Sequence, residues 1–186
     1  MKILALDSSG LVASVAVVEN DTLLAEYTVN YKKTHSQTLL PMLDEISNMT
    51  ELDLSTIDAI AVAGGPGSFT GLRIGSATAK GLGLALEKPL ISIPTTAAIA
   101  YNIWDTDKFV CPIMDARRNQ VYTGVYCYTD HRLDTVWEQD TMSIEALAEG
   151  LNCLDHEVIF LGDGVAVYRE NCRSFLQFRF RLHRRT

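Results

Sequence analysis

The chain has 186 residues, 47% of them hydrophobic and 21% charged, with a formal net charge of −7. That is an ordinary globular balance, enough for one domain or two small lobes with a sizeable core. No apolar run approaches the roughly 20 residues needed to cross a bilayer, and the opening "MKILALDSSG" reads as a strand rather than a signal peptide, so a cytoplasmic protein is expected.

The charge is unevenly spread. Residues 169–186 carry six arginines and one acid, which leaves residues 1–168 at −12. So acidic a body argues against tight nucleic-acid binding by this chain alone, because phosphate contacts supply most of that affinity.

In chain order, "KILALD", "VASVAVVE" and "TLLAEYTVN" predict three adjacent antiparallel strands, with "ENDT" as a hairpin turn between the second and third. "THSQTLLPMLDEISNM" predicts a helix capped by Ser36 or Thr34, with Leu39, Leu40, Leu43 and Ile46 on an apolar face and a bend at Pro41. A strand "IDAIAVAG", a glycine-rich loop and a helix to about Glu87 follow, then a strand "PLISI" and a short helix "TTAAIAYNIW". A second block starts near Phe109, with two strands joined by "DARRN", a helix "SIEALAEGL", a strand "EVIFLGDG" and a last helix from "VAVYREN". The pattern predicts two α/β lobes, residues 1–104 and 105–186.

The loop "GGPGSFTGLRIG" at 64–75 sits between strand and helix, where backbone amides often cradle phosphate. It lacks the lysine of a P-loop, and its third glycine, Gly71, comes one residue late for a dinucleotide fingerprint. Inside the helix, Gly71, Gly75, Ala79 and Gly83 recur every four residues as one column, and Ala77, Gly81 and Ala85 form a second. Helical glycines cost about 1 kcal/mol each relative to alanine. Close approach by another element would offset that. The column packs the helix either on its own sheet or on a helix of another subunit, and the shortage of charge favours the second.

The candidate chemistry is sparse. His35, His131, His156 and His183 are mutually distant, and Cys111, Cys127, Cys153 and Cys172 make no CxxC pair, so no metal site is expected and the thiols read as reduced and mostly buried. No G-x-S-x-G elbow occurs. Asp7, beside Ser8, Ser9 and Gly10, ends the first strand where a carboxylate could meet a metal–phosphate, and Asp115 ends another beside Arg117 and Arg118. Both positions suit turn residues equally well.

Taken together, "ILALDSSG", "THSQTLLPML", "GGPGSFTGLRIGSATAKGLGLAL", "ISIPTTAAIA", "MDARRNQVYTGVY" and "LGDG" resemble the TsaB (YeaZ) family over about residues 1–170. The resemblance implies a two-lobed actin-like ATPase fold (Hsp70/sugar-kinase, ribonuclease H-like). It also implies a non-catalytic subunit in bacterial synthesis of tRNA threonylcarbamoyladenosine. In the catalytic paralogue TsaD a histidine pair holds a metal; the matching places here are Thr95 and Ile99, neither a ligand.

The family implies docking to TsaD through the helices at about 36–49 and 70–86, with Leu39, Leu43, Ile46, Gly71, Leu72, Gly75, Ala79 and Gly83 at the interface. A second copy takes TsaD's place when it is absent. TsaE, an ATPase, joins the complex, a TsaC-type enzyme supplies the substrate, and tRNA is met only through the complex. No cofactor of the chain's own is implied, although ATP or ADP has a place at the complex interface, where Asp7, Ser8 and Ser9 would face nucleotide. The alternatives are a nucleotide-dependent phosphotransferase or a metallopeptidase on the same fold. The basic end after about residue 170 departs from the family and suggests a truncated or altered C-terminus.

Overall fold

Small and β-branched residues at every second position build the first sheet: Ala13, Val15 and Val17 point inward from β2 (Ala13–Glu19). β2 pairs antiparallel with both β1 (Lys2–Asp7) and β3 (Thr22–Val29), while β1 pairs parallel with β4 (Ala59–Gly65) and β4 with β5 (Leu90–Pro94). The order is β3-β2-β1-β4-β5. In this computed structural model the described residues are 1–31, 35–175 and 180–182.

α1 (Leu39–Thr50) and α2 (Phe69–Leu86) cover one face of that sheet. Leu39, Met42, Leu43 and Ile46 of α1 and Ala79 of α2 join Leu4, Leu6, Val15, Val17, Ile60 and Val62 in one core. Each such aliphatic side chain contributes about 1.5–3 kcal/mol on full burial. Pro41 stands in the first turn of α1, where backbone N–H groups have no intrahelical acceptor, so it removes no helical bond and the expected bend has no cause there. Thr38, not Ser36, occupies the cap position, and its side chain makes no capping bond. Thr34 lies outside the described residues.

The second unit runs from Thr96, ahead of the expected break between 104 and 105. The reason is packing: α3 (Thr95–Ala100) buries Ala100 with Val110, Tyr126 and Leu161 of the second core. Its sheet contains β6 (Phe109–Arg117), β7 (Gln120–Thr129), β8 (Arg132–Ser143), β9 (Val158–Leu161) and β10 (Phe180–Leu182), in the order β10-β9-β6-β7-β8. α4 (Ile144–Leu154) and α5 (Gly164–Phe175) pack on it through Ile144, Leu147, Leu151, Val165 and Tyr168, against Cys111, Ile113, Val121, Val125 and Phe160.

β8 is a strand the sequence reading lacked. β10 also lies in the stretch read as altered; its neighbours 176–179 and 183–186 lie outside the described residues. Two-residue turns with positive φ at both positions close three hairpins, at Asn20–Asp21, Arg118–Asn119 and Asp130–His131.

Candidate functional site

The glycine loop is the first candidate, and several of its polar groups bond within the protein itself. Ser8 Oγ donates to the Gly71 carbonyl at 2.9 Å, and the Ser9 amide donates to Asp7 Oδ1 at 2.8 Å. The Ser68 amide donates to the Ser9 carbonyl at 2.7 Å, and Ser68 Oγ caps α2 by accepting from the Gly71 amide at 3.3 Å. A Cβ on Gly67 would stand 2.3 Å from the Ser9 carbonyl oxygen, so glycine is what lets the loop lie against the β1–β2 connection. Asp7, Ser8 and Ser9 therefore fasten the start of α2 to the end of β1.

Thr95 takes part in the same work. It is fully buried, and its Oγ1 accepts from the Gly65 amide at 3.2 Å. A residue expected only as an absent metal ligand thus holds the glycine loop from the other side. Ile99 is half-buried and packs beside Ala100. Among the described residues no group of three or more His, Cys, Asp or Glu is placed to hold a metal.

The second candidate is the outward face of α1 and α2, and here the residues differ from those expected. Gly71, Gly75, Ala79 and Gly83 are all buried and face the sheet: a Cβ on Gly75 would lie 2.5 Å from Ser8 Oγ, and one on Gly83 would lie 2.9 Å from Leu90 Cδ2. The first column is what brings α2 down onto its own sheet, so its assignment to a partner interface is corrected. Leu39, Leu43 and Ile46 are corrected in the same way, since they lie within the core, and Leu72 is half-buried.

The outward stripe is instead Phe69, Arg73, Ala77, Gly81 and Ala85, every one exposed, with Leu84 at 84% exposure alongside. Arg73 stacks over the Phe69 ring, 4.6 Å from its centroid. A Cβ on Gly81 would meet nothing within 4 Å. On α1 the exposed residues include Leu40 and Met49 with the acids Asp44 and Glu45, whereas the charges on α2 are Arg73 and Lys80.

The third candidate lies in the second unit, at the ends of β6 and β9. The Asp115 amide donates to Asp163 Oδ1 at 3.2 Å, and Tyr168 Oη donates to Asp115 Oδ1 at 3.1 Å. Burial pushes the Asp163 carboxyl above its ordinary range, against the backbone hydrogen bonds that favour its charged form. These groups hold one another.

Two α/β units, each with a five-stranded mixed sheet and helices, make this a protein of the actin-like ATPase fold class. The family model described as "TsaD: tRNA N6-adenosine threonylcarbamoyltransferase" matches residues 22–182. The "tRNA threonylcarbamoyladenosine biosynthesis protein TsaB" of Bacillus subtilis is 35% identical over 95% of this chain and 77% of its own. Its counterpart in Escherichia coli K12 is 32% identical over 88% and 72%. Among solved structures, YeaZ from Pseudomonas aeruginosa superposes with a TM-score of 0.83 at 28% identity, covering 98% of this chain and 83% of that one. The chain belongs to the TsaB (YeaZ) family.

Proposed function

We propose that the chain is a non-catalytic scaffold subunit in the bacterial synthesis of tRNA N6-threonylcarbamoyladenosine, acting in the cytoplasm by docking to the catalytic paralogue TsaD. The observation that carries this reading is the outward stripe of α2. Phe69, Arg73, Ala77, Gly81, Leu84 and Ala85 stand exposed along a helix whose opposite side is already packed. An exposed Leu84 and a low ridge at Ala77 and Gly81 suit close approach by another helix. Membership of a family whose relatives bear the TsaB name supplies the pathway.

A second copy fits the same face when TsaD is absent, because a two-fold contact sets the acids of α1 in one copy against the cations of α2 in the other. TsaE joins the assembled complex, a TsaC-type enzyme supplies its substrate, and tRNA meets the chain only there. Nucleotide is a ligand of the assembled interface.

Titration calorimetry of this chain against TsaD tests the reading. Gly81→Trp adds bulk where the free chain has open space, and the expected result is a folded protein with affinity reduced at least about 100-fold. Unchanged affinity would contradict the docking face.

A further inference from the structure

The turn between β6 and β7 carries a feature that neither the docking face nor the core explains. Arg117, Arg118 and Asn119 are consecutive and all have positive φ, of 70°, 54° and 60°. The left-handed region is sterically unfavourable for residues other than glycine, with asparagine, aspartate and histidine the usual exceptions. The other two hairpins of this kind obey that rule, using Asn20–Asp21 and Asp130–His131. Only at this turn, among the described two-residue hairpins, do two arginines occupy such positions.

The turn is also held from beneath. Asp115 Oδ1 accepts from the Arg117 amide at 2.9 Å and from Tyr168 Oη at 3.1 Å. Tyr168 Oη also reaches the Gln120 carbonyl at 3.2 Å, and Asp163 Oδ1 accepts from the Asp115 amide at 3.2 Å. The end of β9, helix α5 and both ends of the hairpin are thus linked through Asp115 and Tyr168, which over-determines the backbone and lets disfavoured φ angles persist. Meanwhile both arginine side chains are exposed. The Arg117 side chain is 84% exposed, and its contact with Asp115 Oδ2 is long, at 3.7 Å. Arg118 is exposed and forms no ion pair among the described residues.

We propose that this turn is an RNA contact, presenting Arg117 and Arg118 to the phosphate backbone of the tRNA that the complex modifies. The inference rests on the assignment to tRNA modification made above. The braced hairpin fixes the backbone from which both arginines extend, and their exposed guanidinium groups suit phosphate oxygens. Two such contacts in an acidic chain do not hold RNA unaided; they add to those of the partner, so the effect is read in the assembled complex. Asp115, Tyr168 and Asp163 are positioning residues for the turn.

The double variant R117G/R118N tests this directly, because it removes both guanidinium groups while giving the backbone residues suited to positive φ. It is expected to raise Tm by about 3 °C and to join TsaD as the wild type does. The affinity of that complex for an unmodified tRNA transcript should fall at least about fivefold, with the salt slope reduced by about 1 to 2. The R117K/R118K variant keeps the charge and the unfavourable backbone, and because backbone phosphates are met by charge it should keep tRNA affinity within about twofold with no gain in Tm.

Equal tRNA binding by R117G/R118N and the wild type would overturn the proposal while leaving the docking face intact. Loss of TsaD binding by R117G/R118N would overturn it by assigning the arginines to a protein contact. Failure of the wild type itself to join TsaD would overturn the scaffold reading and this one with it.

Discussion

Four cysteines share the chain but not one environment. Burial pushes the Cys111 thiol up to about 12 and the Cys172 thiol up to about 11, whereas Cys153 is exposed. The thiolate is the reactive form, so reactivity follows these differences. Iodoacetamide at neutral pH should alkylate Cys153 first and reach Cys111 and Cys172 only on unfolding; equal rates at all three, read by mass spectrometry, would contradict the burial.

Asp163 offers a test by pH. Its carboxyl is raised by burial, so the native state favours the protonated form. Stability linked to this group is full below the unfolded value of about 4 and is lost as pH rises through the higher native value. Asparagine keeps an acceptor for the Asp115 amide without the charge. Asp163→Asn should therefore raise Tm at pH 7, and the gain should shrink toward zero as pH falls below about 4. A gain that is the same at every pH would point to packing instead.

At the scale of elements, α2 has two small-residue columns with opposite duties. Gly75→Leu forces a side chain into Ser8 and Val62 and should cost about 3 kcal/mol in urea denaturation. Gly81→Leu enters open space and should gain about 1 kcal/mol from helix propensity. Equal stability of the two variants would contradict the orientation of α2.

The spacing of both columns was legible in the sequence, but their direction was not. Glycine and alanine fill both, so hydrophobic periodicity cannot orient the helix. Orientation comes from Ser8 and Leu90, which β1 and β5 bring beneath it from distant parts of the chain. The apolar face of α1 was legible for the same reason that it proved internal: Leu39, Leu43 and Ile46 are large enough to demand a core. β8 escaped notice because its pairing with β7 shifts register twice and its exposed, charged residues break the alternation. The glycine loop announced itself by composition, yet its purpose depends on contacts with Ser9 and Thr95 that no local pattern contains.

For the whole molecule, two α/β units follow from two blocks of strands and helices. Neither core leaves a described cluster with the makings of a metal centre. The face offered by α1 and α2 belongs wholly to the first unit, and the arginine turn belongs to the second. On the proposed reading, the first unit docks to TsaD and the second contacts the RNA that the complex acts on.

The measurement that bears most directly on this account is the rate at which TsaD transfers threonylcarbamoyl to tRNA in a reconstituted system containing the TsaC-type enzyme and TsaE. The account predicts that the wild-type chain raises that rate and that folded Gly81→Trp, with a Tm no lower than the wild type's, does not. Equal rates with the two proteins, or with no chain added at all, would contradict it.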